Sequence, residues 1–202
     1  KCLAQYKASF VLLTIGQFLT AFSAFLGIFF LMNRFHTVKG FTFSEVLLFF
    51  AVTLLSFALA ECFARGFDTF SSMLGNGEFD RILLRPRNTV FQIIASKIEL
   101  SRAGRLIQAA LTLGIAVGTG EIHWSLAKGL LLVEMILCGA VFFASLFVLG
   151  AAICFFTTEG LEILNIFTDG GREFGRYPLS VYGKDMLRFY TFVVPMALFQ
   201  YY

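Results

Sequence analysis

From Ser9 to Met32 the chain carries no charged residue at all. Crossing a hydrocarbon core about 30 Å thick takes roughly 20 mostly apolar residues in a helix, so this run is long enough to span. It is too long for the apolar core of a cleavable signal peptide, and no small-residue cleavage site follows it, so it reads as a permanent span. Four more apolar windows follow. Residues 43–63 begin with Glu45 at the entrance and carry Glu61 near the end. Residues 102–119 centre on Leu106 to Val117 behind a charged approach. Residues 126–156 contain Glu134 and are long enough to tilt or to project beyond the bilayer. Residues 186–202 are still apolar at Tyr202.

Composition agrees with this reading. A hydrophobic share of 58%, 27 Phe, 14% charged residues and a mean hydropathy of +0.80 lie far outside globular usage. The chain therefore reads as an all-α, polytopic helical membrane protein forming one transmembrane domain over residues 1–202. The missing initiator Met at Lys1 and the apolar end at Tyr202 lead us to expect a piece of a longer protein, with at least one further helix.

Orientation follows from the basic residues, because Lys- and Arg-rich loops stay on the cytoplasmic side. With the amino terminus inside, the inner segments hold Lys1, Lys7, Arg65, Arg81, Arg85, Arg87, Lys97, Arg102, Arg105, Arg172, Arg176, Lys184 and Arg188, which is 13 of the 16 basic residues. The outer loops keep Arg34, Lys39 and Lys128, with Trp124 at the interface. Topology thus explains the net charge of +3, and with no soluble domain to carry a basic patch, nucleic acid is excluded as a partner.

Several chemistries are also excluded. Cys2, Cys62, Cys138 and Cys154 form no C-x-x-C pair and have no histidine at ligand spacing, so they read as small apolar packing residues and no metal site is predicted. His36 and His123 fall in the outer loops as solvated side chains. The G-x-x-x-x-G-K-[ST] phosphate loop, G-x-S-x-G and H-E-x-x-H are all missing, so the chain holds neither the usual ATP site nor a familiar catalytic set.

Two inner segments, 64–105 and 157–185, carry the remaining information. The first opens with Phe67, Phe70 and Leu74 at helical spacing, turns at Gly75-Asn76-Gly77, and re-enters a short helix over 78–84 that Pro86 ends. In that helix Phe79, Ile82 and Leu83 are predicted to share one face, leaving Glu78, Asp80 and Arg81 to water or a partner. The blander alternative is a helix resting on lipid headgroups. Further on, Glu99 and Arg102 can pair, and the arginines up to Arg105 can snorkel to the inner interface at the bent entrance of the third span. In the second segment, four glycines and Pro178 argue against a continuous helix and for a tight irregular connector.

At these segments the chain resembles the membrane permease subunits of ATP-binding-cassette transporters, of the type-2 export class and the branch formerly described as a domain of unknown function. The resemblance rests on Gly77, Glu78, Phe79, Asp80, Arg81, Ile82, Leu83, Leu84, Arg85 and Pro86 followed by Phe91-Gln92. It rests equally on Asn165-Ile166-Phe167-Thr168 leading to Gly171-Arg172-Glu173 and Tyr177-Pro178-Leu179-Ser180, and on Arg188 through Pro195. It implies a six-span architecture with the last span missing here, and a permease in the cytoplasmic membrane that pairs with a second copy or a sister permease. It also implies a separate cytosolic ATPase that binds the ATP and Mg, since no cofactor is held by this chain. Residues 78–84 then look like the helix that couples to that ATPase, with Arg85 and Pro86 fixing its exit.

The intramembrane acids are the other candidates. Glu134 lies ten residues beyond Trp124, or about 15 Å along a helix, and an ionisable group at such depth is either a functional suspect for the pathway or the dimer seam, or a structural hydrogen-bonding group. Glu61 can pair with Arg65, four residues on, in a structural role, and Pro195 is predicted to kink the fifth span. The alternatives are a proton- or ion-coupled secondary transporter using Glu134 and Glu61, which predicts inverted repeats that are not found, and a lipid-modifying enzyme, for which the clustered acids and histidines are lacking.

Overall fold

The computed structural model describes residues 7–35, 37, 40–96, 103–120, 124–157 and 160–196, and no strand occurs among them. Helix α1 (Lys7–Phe35) and α2 (Phe43–Asp68) form a hairpin; three short helices follow, α3 (Phe70–Gly75), α4 (Glu78–Leu83) and α5 (Thr89–Ser96). The chain then continues through α6 (Ala103–Thr119), α7 (Leu126–Cys154), α8 (Gly160–Phe174), a 3-10 turn (Leu179–Tyr182) and α9 (Lys184–Phe192). Among the described residues three stretches are long and apolar enough to cross a membrane, Ser9–Phe35, Phe43–Gly75 and Leu126–Cys154. At 17 residues, α6 reaches only about 25 Å. His36, Lys97, Glu99, Arg102 and His123 lie outside the described residues.

The central element is α2. Lipid tails are as apolar as leucine, so helices associate in a membrane through close packing and interhelical hydrogen bonds. Ala51, Ser56, Ala58, Ala60 and Ala64 supply the small buried residues that α2 needs for this. Ser56 Oγ donates to the Ile136 carbonyl of α7 at 3.0 Å, and Phe57 packs edge-on against Phe143 with ring centroids 5.1 Å apart. Two glycines mark the other close crossings. A Cβ on Gly66 would collide with the Ile93 carbonyl of α5, and one on Gly104 with the Thr14 carbonyl of α1. At its N-terminal end α2 is capped by Glu45, whose carboxylate accepts the Thr42 N–H at 2.8 Å.

Two expectations fail here for physical reasons. Residues 157–185 are not mostly irregular, because α8 runs helically through Gly170 and Gly171. Each glycine costs a helix about 1 kcal/mol relative to alanine, but Gly171 is where Met196 and Phe143 close on α8: an added Cβ would stand 2.9 Å from the Met196 sulfur. Tertiary packing outweighs the propensity. Among the described residues of this segment the irregular parts are Thr157, Gly175 to Pro178, and Gly183, whose φ of +101° favours glycine. The fifth window does not form a single helix either: α9 stops at Phe192, three residues before Pro195, and the backbone turns from Val193 to Met196. The proline ends the helix ahead of itself, as the restriction on the preceding residue dictates.

The glycine geometry gives a paired prediction within one helix. Gly104→Ala must push α6 away from α1 and is expected to lower stability by about 1–3 kcal/mol. Gly114→Ala, which meets nothing within 4 Å, is expected to be neutral or to gain up to about 1 kcal/mol. Thermal unfolding of the two variants in detergent distinguishes them.

Candidate functional site

The C-terminal ends of α2 and α7 carry the first candidate surface. Thr69 interrupts the helix after Asp68, α3 makes little more than one turn, and Gly77 reverses the chain with φ +67°. A glycine is needed there because other side chains rarely adopt that conformation. The turn presents α4 so that Ile82 is buried and Phe79 half-buried. Phe79 lies 5.1 Å from Phe70 of α3 and 5.5 Å from Phe155 at the end of α7. Leu83 does not join this face. It is 56% exposed and Leu84 85%, because one turn of helix buries only the side turned toward Phe70 and Ile93. Glu78, Asp80, Arg81, Arg85 and Pro86 are exposed as well. The Asn88 carboxamide caps α5, accepting the Val90 N–H at 3.0 Å, and an open groove of about 500 Å³ runs between Ile82, Arg85, Pro86, Phe91 and Gln92.

The second candidate is a buried ion network. Glu61 is 3% exposed and bonded to Arg105. Arg65 meets Glu61 at 3.5 Å and Asp68 at 2.5 Å, so the pairing read from the i,i+4 spacing is present. Arg105 does not snorkel to the interface. Its other nitrogen donates to Gln17 of α1 at 2.6 Å, and the side chain is buried where α1, α2 and α6 converge. A carboxylate without water claims the nearest guanidinium, 44 residues away in sequence. No local spacing announces such a partner.

Beside this network lies a cleft of about 130 Å³ walled by Thr20 and Ala24 of α1, Phe50 and Thr53 of α2, Arg105, and the end of α8 with Arg172, Glu173 and Arg176. Thr53 Oγ donates to the Gly175 carbonyl at 2.8 Å, and the Arg172 guanidinium lies over the Phe57 ring at 4.9 Å. Gly171, Arg172 and Glu173 therefore sit at the level of the middle of α2, not beyond its inner end. Arg172 and Arg176 drop out of the inner-side cation count for the same reason. Glu173 Oε1 accepts from both, at 3.2 Å and 2.6 Å. Tyr177 is half-buried against the cluster around α1 and α2, and Pro178 is buried where the 3-10 turn begins.

Phe57 joins these two candidates, with Arg105 5.9 Å from its ring centroid and Arg172 on the same ring. Glu134 belongs to neither. It lies on an exposed face of α7 between Leu130 and Leu137, away from the cleft. Arg105, Gln17, Phe57 and Arg176 were not singled out as site residues from sequence, since only the fold brings them together.

The profile of the family described as ABC-2 family transporter protein matches residues 18–202. No curated protein and no solved structure matches the chain.

Glu61→Ala leaves Arg105 buried without its main partner and is expected to cost about 3–5 kcal/mol. Adding Arg105→Met removes the stranded charge and is expected to recover a large part of that loss. Unfolding midpoints of the single and double variants measure the coupling.

Proposed function

This chain belongs to the ABC-2 transporter family as a membrane permease, and on that premise we propose that it exports its cargo using ATP hydrolysed by a separate cytosolic ATPase docked on α4. The observation that carries the reading is the exposure of Asp80, Leu83, Leu84 and Arg85 on a helix whose other face is braced by aromatic rings from α3 and α7. Exposed leucines flanked by charges suit the apolar centre and polar rim of a protein interface. The lack of a phosphate loop in this sequence fits an arrangement in which the partner holds ATP and its magnesium.

The bracing supports a mechanism. A push on α4 is delivered through Phe79 to Phe70 and Phe155, and so to the inner ends of both α2 and α7. Closure of two ATPases would thereby rock packed helices as bodies. The family resemblance supports the outward direction and the pairing with a second permease copy or a sister chain. The basic residues support an amino terminus inside the cytoplasmic membrane: without Arg105, Arg172 and Arg176, 10 of the original 13 remain on the inner side against three outside. The cleft beside Arg105 is where we place the route. Glu61, held in its ion pairs, acts as a structural group in this scheme and not as a proton carrier.

Leu83→Asp with Leu84→Asp is expected to weaken ATPase capture by at least about 2 kcal/mol, roughly 30-fold, without lowering the unfolding midpoint. Co-purification of the intact permease with its ATPase in mild detergent reads the first quantity. An ATPase retained at full stoichiometry by this variant contradicts docking on α4.

A further inference from the structure

The cleft walls are chemically lopsided. Three guanidiniums, from Arg105, Arg172 and Arg176, face a single lining carboxylate, Glu173. Arg105 is already engaged by Glu61 and Gln17, whereas Arg172 and Arg176 converge on one oxygen of Glu173. Asp169 adds a longer contact to Arg172, 3.4 Å, from an exposed position outside the cleft. Each guanidinium offers five donors in a planar fork, and two forks are better matched by an oxyanion presenting several oxygens than by one carboxylate oxygen. Phe57 under Arg172 holds that guanidinium in place.

We propose that the cleft binds the oxyanion group of the transported molecule, a phosphate in the first instance, with Arg172 and Arg176 as its recognition pair and Glu173 as the internal anion it displaces. The Glu173 side chain is 44% exposed, so its carboxylate has room to swing aside when the ligand enters. The internal carboxylate bridges the two arginines before the ligand enters and sets a threshold that only a better oxyanion passes. The assignment rests on the permease reading above, but its readout is ligand binding to the permease alone, so the two can fail independently.

The test is thermal unfolding of the intact, purified protein in a neutral detergent, titrated with inorganic phosphate, with dihexanoyl phosphatidic acid, and with dihexanoyl phosphatidylcholine as the zwitterionic control. A ligand that binds only the folded state raises the midpoint with concentration. We expect a rise with an anion and none with the control. Glu173→Gln should lower the half-saturating concentration roughly tenfold, the worth of one charged hydrogen bond. Arg172→Gln with Arg176→Gln should abolish the rise; should that variant not fold, Arg176→Gln alone serves with the same expectation. A rise with phosphate and phosphatidic acid alike identifies a free oxyanion as the ligand chemistry, and a rise with phosphatidic acid alone identifies a lipid headgroup. No rise with either anion in the unaltered protein and in Glu173→Gln overturns the proposal, as does an unchanged rise in the arginine variant.

Discussion

A carboxylate and a guanidinium, Glu61 and Arg105, meet out of water where α1, α2 and α6 converge. Taking both from water is expensive, and their attraction offsets the cost only when the remaining donors and acceptors are also engaged. Gln17 takes the second arginine nitrogen and Arg65 the second face of the carboxylate. What the pair confers is register more than net stability. Apolar helices in lipid can slide and rotate at little cost, because the surroundings are as apolar as the partner. A buried ion pair shared by three helices removes that freedom, and the tight Gly104 crossing at the next residue locks the same level sterically.

From that level two surfaces extend in opposite directions. Toward the inner end, Phe67, Phe70 and Ile82 continue one buried cluster into the short helices, so α4 is part of the body formed by α2 and α7 and not a loose loop. Toward the middle, the same cluster reaches Phe57, Phe143 and Met196, against which the end of α8 closes. The guanidiniums of Arg105 and Arg172 both lie over the Phe57 ring. A displacement of α4 is thus connected to the cleft through one buried cluster of packed side chains, and close-packed side chains transmit strain instead of absorbing it.

Much of this was legible in the sequence, for reasons that can be named. Three of the five expected spans showed as long apolar helices because lipid demands long apolar runs, and the α3–α4 turn showed because Gly77 and Pro86 punctuate the backbone locally. The pairing of Glu61 with Arg65 showed because four residues make one helical turn. What stayed hidden was long-range. Arg105 resembled a snorkelling interfacial arginine until the fold put Glu61 in front of it. The glycines near residue 170 resembled helix breakers, although Gly171 is there to admit Met196. Leu83 fell on the wrong side of α4, because a six-residue helix is too short for periodicity to say which of two flanking faces its neighbours cover.

The central claim is that the cleft lies on a route whose access is switched from α4. It is tested most directly by a single cysteine at Thr20, a cleft-lining position on α1, in the intact transporter with Cys2, Cys62, Cys138 and Cys154 replaced. Its reaction with a membrane-impermeant maleimide is followed from each side, with and without a non-hydrolysable ATP analogue. The account predicts labelling from the cytoplasmic side without nucleotide and from the outer side with it, and loss of that switch when Leu83 and Leu84 are both aspartate. Labelling from the same side in both nucleotide states would contradict it.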